Sequence, residues 1–253
     1  MDRRVHPCAQ LWLGETPFRM WALWLLGYGR SVKISVVIPA FDELEWISAA
    51  LESAMVPGIE VVVVDGGSRD GSALRARQAG ARVLVAGRGR GRQLARGVEA
   101  TRGEVLLFLH ADTRLPRGWP EMIRGALSDP EVVGGAFRFR FDGAGPGLAV
   151  LTWGARLRGS LLRLPYGDQA LFVRRSVLAS MGGMPRVPVM EDLDLVREMK
   201  RRGRIVLLPA PAVTSARRHL EQGVFKTAIL HVLALLAWRL GVDRSRIAAW
   251  LRG

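Results

Sequence analysis

A single cysteine, Cys8, excludes an internal disulfide, and with only four histidines beside it the chain has no zinc site of ordinary spacing. Lysine is nearly missing: Lys33, Lys200 and Lys226 stand against 37 Lys+Arg in all. Acids are also the minority, 23 of them, which leaves a net charge of +14 at pH 7. That excess favours anionic partners such as phosphate esters, nucleic acid or acidic lipid, and does not choose among them. Long apolar runs are absent too. "LWLGETPFRMWALWLLGYG" is broken by Glu15, Pro17 and Arg19, and "AILHVLALLAW", Ala228 to Trp238, lies between Lys226 and Arg239. Neither reaches the roughly 20 consecutive apolar residues that cross a bilayer. The first also lacks a small-residue cleavage site, which argues against a secretory signal. Their tryptophans suit a membrane interface. The expectation is an amphipathic N-terminal extension over residues 1–32, in a cytoplasmic chain with peripheral contact at the inner face of the cell membrane.

Several sequence signatures are missing as well. There is no G-x-x-x-x-G-K-[ST] phosphate loop and no G-x-S-x-G nucleophile turn. The first strand–helix turn lacks G-x-G-x-x-G, and the glycines at 87, 89 and 91 follow the third strand instead. A nucleotidyltransferase would carry a Gly-rich basic signature in that first turn, where "PAFDE" stands. An aspartyl-phosphate hydrolase would show D-x-D-x-T, of which "HADTR" has one acid of two. A nucleic-acid-binding protein would interleave bases with aromatics along a stripe, and only "FRFRF" does so.

What is present is the composition of a folded protein, 49% apolar and 24% charged. "KISVVIPA" (33–40), "IEVVVVD" (59–65), "RVLVAG" (82–87) and "EVLLFLH" (104–110) read as strands with near-continuous Val, Leu and Ile. Helical spacing over "DELEWISAALESAM" (42–55), a short helix after Gly71, and a helix running to Ala100 separate them. Strands of that kind are covered on both faces, as in a parallel sheet. The fold expected over 33–253 is therefore a single α/β domain with a mostly parallel central sheet flanked by helices. Its first half is Rossmann-like and nucleotide-binding, its second an acceptor half. In that second half, "GGAFRFRFDG" (134–143) alternates as a half-buried strand. A helix over 147–164, a strand in "YGDQALFVRR" (166–175) and a helix over "PVMEDLDLVREMKRRG" (188–203) follow, then basic helices at 217–226 and 239–252. The helix over 188–203 opens on acids and closes on bases, as the helix dipole prefers.

Right-handed crossovers bring all the carboxyl ends of parallel strands to one edge, where ligands bind. Asp42 and Glu43, Asp65, the basic loop "GRGRGRQ" (87–93) and Asp112 all fall just past such an end. A carboxylate at Asp112 facing a basic loop suits Mg²⁺ or Mn²⁺, which need only one or two protein carboxylates beside substrate phosphates. His110 is either a second ligand or a strand-end histidine satisfied locally.

These residues carry a resemblance. "SVVIPAFDE", "VVVVDGGSRDG", "GRGRQLARGVEATRGEVLLFLHADT", "GDQALFVRR" and "MEDLDLVREMKRRG", in this order, are similar to family 2 glycosyltransferases, inverting nucleotide-sugar transferases of the GT-A fold. "LHADT" and "TSARR" resemble a small bacterial subgroup. The resemblance implies that Pro39, Ala40 and Glu43 line the nucleotide pocket, that Asp65 binds base or ribose, and that Arg92 or its neighbours face the diphosphate. It implies Asp112 as metal ligand, with His110 in place of the first acid of the family's D-x-D. Glu191 and Asp192 would sit at the acceptor, with Asp192 as general base. Apart from the resemblance, Asp192 suits that role if burial beside Glu191 raises its pKa, its other reading being a helix N-cap. Asp168 is either an acceptor contact or a turn residue after Gly167. The partners implied are a nucleotide-sugar donor and a hydroxyl acceptor, a lipid-linked one among the candidates.

Overall fold

The computed structural model describes residues 32–143, 145, 147–149, 152 and 167–251. Most of the expected N-terminal extension and of the helix expected over 147–164 lies outside the described residues. Contacts divide the chain into two units, Met1–Val32 and Lys33–Gly253, and the second carries all that follows.

The first half alternates strand and helix: β1 Ile34–Ala40, α1 Ile47–Ala54, β2 Glu60–Asp65, α2 Ser72–Gln78, β3 Arg82–Val85, α3 Arg90–Ala100 and β4 Val105–Phe108. A two-residue strand β5, Thr113–Arg114, helix α4, Trp119–Ala126, and the long strand β6, Val132–Phe141, come next. After a 3₁₀ turn at Gly167–Gln169 run β7 Leu171–Arg174, α5 Arg175–Ser180, α6 Glu191–Arg202 and β8 Arg204–Thr214. Helices α7 Arg217–Gln222, α8 Val224–Arg239 and α9 Arg244–Trp250 close the described chain.

All eight strands form one sheet in the order β3-β2-β1-β4-β7-β6-β8-β5. The pairs β1–β2, β2–β3, β1–β4 and β6–β8 are parallel; β7 and β5 run against their neighbours. Consecutive residues along β1, β2 and β4 are buried, so both faces of that part of the sheet are covered. The apolar runs of the sequence have this cause: a polar side chain on either face needs a buried partner, as Ser35 has in Glu60. On β6 the phenylalanines 137, 139 and 141 are buried while Arg138 and Arg140 are exposed, the expected alternation.

Helix α3 lies hard against β1 and β2. A Cβ placed on Gly97 would come within 2.2 Å of Val37 Cγ1, so only glycine lets the helix approach that closely. Several element boundaries differ from the sequence reading. The helices expected over 217–226 and 239–252 are Arg217–Gln222, Val224–Arg239 and Arg244–Trp250, and three further differences bear on the site. α1 begins at Ile47 rather than 42, because the 42–46 stretch is used to tie two turns together. The strand expected over 166–175 is shortened by the 3₁₀ turn and passes into α5 at Arg175. The basic run expected as a loop is half helix, since α3 starts at Arg90.

Candidate active site

Strands β1 and β2 end side by side, and one side chain clamps both ends. The Gln93 amide on α3 donates to the Ala40 and Val64 carbonyls, each at 2.8 Å. Gly66 N–H also donates to Ala40 O at 2.8 Å. The first and second strand–helix turns are stitched into one unit by backbone donors. Arg69 N–H reaches the Asp42 carboxylate at 2.9 Å and Leu44 N–H reaches Asp70 at 2.8 Å. Glu43 N–H donates to Ser72 Oγ at 2.7 Å, while the Glu43 carboxylate pairs with Arg217 from α7. The Arg217 guanidinium in turn lies 5.3 Å from the Trp46 ring centre.

Asp65 is buried at the tip of β2, 4% exposed. Its carboxylate accepts from Gly67 N–H at 3.0 Å, from Ser68 N–H at 3.1 Å and from the Ser68 hydroxyl. Much of its hydrogen-bonding capacity therefore goes to shaping its own turn, the use short acids have at such positions. Above that turn, the Arg88 guanidinium stacks 4.1 Å from the Phe41 ring centre.

Proline opens the sheet next to this. The last β1–β4 bond in the ladder runs from Leu109 N–H to Val37 O at 3.0 Å. The next would need an N–H at Pro39, which has none, so the two strands part there. A small cavity lies at the gap, lined by Pro39, Leu109, His110, Gly167, Glu191 and Asp192. Residues from positions 39 to 192 thus meet at one point on the carboxyl edge.

The cluster is organised by Arg90. Its Nε donates to Glu191, its Nη1 lies 3.3 Å from His110 Nε2, and its Nη2 lies 3.8 Å from Asp192. Arg90 and Arg92 are two residues apart on a helix, about 200° around its axis. Arg90 therefore turns into the acids, and Arg92 is exposed on the other side. Burial works against the charge on Arg90, but Glu191, Asp192 and Asp168 outweigh it and raise its pKa. Glu191 is only 1% exposed, and among the described residues its Oε2 has no hydrogen-bond partner. Burial pushes its carboxyl upward, Arg90 pulls it back and Asp192 adds to the push; the net shift is up.

Asp192 accepts from Gly167 N–H at 2.7 Å, across 25 residues of sequence, and from Leu193 N–H at 2.9 Å. It does not cap α6, whose N-cap is Met190 with a left-handed φ of 65°. Glu191 is the fully buried acid of the two, and Asp192 beside it is half-buried.

Asp112 immediately precedes β5, and its carbonyl accepts from Ser215 N–H at 3.0 Å just past β8. Thr113 and Thr214 share a hydroxyl bond of 2.9 Å, and Thr214 Oγ1 donates to the Asp168 carbonyl at 3.0 Å. The "TSARR" stretch and the "HADT" stretch are therefore neighbours, with the Gly167–Gln169 turn against them. The Asp112 carboxylate is half-buried, and the contact it makes is a long one, 3.4 Å from Thr113 Oγ1.

The metal expectation fits at Asp112 and not at both expected ligands. Among the described residues there is no group of three His, Cys, Asp or Glu side chains able to hold an ion. One carboxylate suffices for Mg²⁺ or Mn²⁺ when phosphate oxygens and water complete the shell. His110 is a poorer ligand than the sequence suggested: a cation at its Nε2 would sit against the Arg90 guanidinium. Four contributors escaped the sequence reading, namely Arg90, Gln93, Gly167 and Arg217. Helical phase within "GRGRQLARG" could have separated Arg90 from Arg92, whereas no local pattern announces the Gly167–Asp192 bond.

Comparison with known proteins gives the family and the fold. The profile of the family described as glycosyl transferase family 2 matches residues 35–177. A glucosyl-3-phosphoglycerate synthase from Mycolicibacterium paratuberculosis is 37% identical over 92 residues, 31% of this chain and 28% of that protein. The chain thus matches under a third of that curated relative's length. Two solved structures of glucosyl-3-phosphoglycerate synthase from Mycobacterium tuberculosis, with Mn²⁺ and UDP-glucose and with Mg²⁺ and UDP, are 25% and 24% identical. Each superposes with a TM-score of 0.59 over 91% of this chain and 85% of the other. A mannosyltransferase from Pyrobaculum calidifontis, solved with GDP-mannose and Mn²⁺, shares the fold at 18% identity and a TM-score of 0.54, over 78% of this chain and 63% of its own. The architecture is that of the GT-A glycosyltransferases. The family profile runs from β1 into α5, more than half of the chain, and the chain belongs to glycosyl transferase family 2.

Proposed function

We propose that this chain transfers a sugar from a nucleoside-diphosphate sugar to an acceptor hydroxyl, with inversion at the anomeric carbon. The observation that carries the reading is the Asp192 carboxylate, held by Gly167 N–H at 2.7 Å beside the buried Glu191 and Arg90. It stands at the gap where β1 and β4 part, next to the turns at the ends of β1 and β2.

The residues divide the work by position. The Gly66–Ser68 turn, shaped by Asp65, and the end of β1 at Pro39 and Ala40 form the floor for the nucleoside. Glu43 holds the first turn to α7 through Arg217. Arg92, exposed and with no acidic partner among the described residues, is available to donor phosphates. Asp112 would hold Mg²⁺ or Mn²⁺, which at that place stabilises the charge gathering on the diphosphate as it leaves. Asp168 and the orphaned Oε2 of Glu191 face the acceptor side, where a substrate hydroxyl would satisfy a buried acceptor.

Asp192 takes the acceptor hydroxyl's proton while that oxygen attacks the anomeric carbon from the face opposite the phosphate. The carbon–oxygen bond to the diphosphate breaks, and nucleoside diphosphate departs with the bonding pair. General-base help of this kind contributes roughly 10²–10⁴-fold. The support lies in the geometry, in family membership, and in solved relatives that bind UDP-glucose or GDP-mannose with a divalent ion.

The test is Asp192→Asn, which keeps an acceptor for Gly167 N–H and so keeps the local fold. With UDP-glucose and GDP-mannose as trial donors, donor affinity should stay within about twofold. Turnover, read as nucleoside diphosphate released, should fall about a hundredfold or more. Undiminished release by the variant would remove Asp192 from the role of base.

A further inference from the structure

Helix α8 is apolar almost all the way round, yet only part of it is covered. Its inner side is buried at Thr227, Ala234 and Ala237. The same side is tied to α6, where Asp194 accepts from Trp238 Nε1 at 3.0 Å, and Asp194 also accepts from Arg244 of α9 at 2.9 Å. On the outer side Ile229, Val232, Leu233, Leu236 and the following Leu240 are half-exposed or more, from 50% at Leu236 to 82% at Leu240. That spacing puts the five on one stripe about 100° wide. At about 100° per residue, Lys226 and Arg239 fall one on each flank of it. Both are exposed, as are Arg246 and Trp250 on α9. Single exposed leucines are ordinary, but a continuous stripe is not.

Three occupants could cover it: a second copy of the chain, residues 1–31, or lipid. The flanking charges decide among them. A second copy in two-fold packing would bring like charges together in a chain that already carries +14. Residues 1–31 hold Arg3, Arg4, Arg19 and Arg30 against Asp2 and Glu15, so they too are basic. Anionic headgroups complement both flanks, and acyl chains complement the stripe.

We infer that the outer face of α8 docks on an anionic bilayer surface. The stripe enters the headgroup boundary, and Lys226 and Arg239 lie at phosphate level with their stems along the apolar surface. No helix among the described residues is long and apolar enough to cross a membrane, so the contact is peripheral. This inference does not depend on the sugar-transfer reading, because the stripe belongs to the outside of the molecule.

Flotation of the full chain tests it, using vesicles of equal parts phosphatidylglycerol and phosphatidylcholine beside vesicles of phosphatidylcholine alone. The chain should float with the anionic vesicles and lose binding as salt rises. The double change Leu233→Glu with Leu236→Glu should lower vesicle partition by about tenfold or more. Lys226→Glu with Arg239→Glu should lower it by about tenfold while leaving thermal stability unchanged. Three results would overturn the inference. One is no flotation at low salt, or flotation of the leucine variant equal to wild type. Another is a wild-type dimer that the leucine variant converts to monomer without vesicles, which assigns the stripe to a second copy. The third is a loss of several degrees in Tm in the leucine variant without vesicles, which means the chain already covers its own stripe.

Discussion

Arg90 and Glu191 are an uneven pair: the arginine side chain is 38% exposed and the glutamate 1%. Removing the arginine leaves a carboxylate that cannot move to water. Arg90→Ala should therefore cost about 1–3 kcal/mol at neutral pH, less than a fully buried pair because Arg90 is partly solvated. The sign of the pH dependence follows from the upward shift of Glu191. A carboxyl raised in the folded state stabilises the fold below its ordinary value, about 4.3, and loses that contribution as pH rises through the folded value. Without Arg90 the strongest downward pull on the carboxyl is gone, so the folded value climbs further. The stability deficit of Arg90→Ala should thus shrink as pH falls from about 7 towards 4.5. Urea unfolding of both proteins at the two pH values reads it directly, and a deficit that grows in acid contradicts the pairing. At this scale the sequence was only half legible. The acids Glu191, Asp192 and Asp112 were visible because each stands just past or just inside an element boundary. Arg90 was hidden behind Arg92 by the placement of the first helical turn, and Asp65 was read as a ligand group although its oxygens largely serve its own turn.

Among the elements, α3 does more than connect β3 to β4. It packs with Gly97 against Val37 and sends Gln93 to two strand ends. Gln93→Ala removes the second donor from the buried Ala40 and Val64 carbonyls and should cost about 0.5–1.5 kcal/mol, with weaker nucleoside diphosphate binding as well. Gly97→Ala should cost about 1–3 kcal/mol, by pushing the helix off β1. Because Gly97 lies one turn away from the strand ends, it should disturb stability more than ligand affinity. Thermal unfolding together with nucleotide titration separates the two. Equal loss of affinity in both variants would mean that Gln93 acts only through packing. The strands of the first half were legible because doubly buried strands must be continuous apolar runs. The second half was less so, because β6 pairs with β8 and β7 pairs with β4, contacts between segments far apart in sequence. The 3₁₀ turn at Gly167 exists to meet Asp192, and nothing within ten residues of it says so.

Across the whole molecule, one sheet edge collects the ends of β1, β2 and β4, the Gly167 turn and the first turn of α6. Parallel topology makes that edge common to the ends of β1, β2 and β4, which is why their convergence could be read from strand order along the chain. The net charge of +14 acts on the same scale. A charge of that size and sign attracts anionic ligands in general and makes their capture weaken with salt, without selecting which one binds. The proposed reading assigns selection to the edge, where the turn shaped by Asp65 and the carboxylate of Asp112 lie. Titration of the purified chain with UDP and GDP, with and without Mn²⁺, beside the Asp112→Ala variant, tests the central claim most directly. The account predicts that one of the two diphosphates binds the wild type more tightly with the ion present, and that the variant keeps its Tm but loses the ion-dependent part. Binding of neither diphosphate by the wild type, or equal Mn²⁺-dependent affinity in the variant, would contradict it.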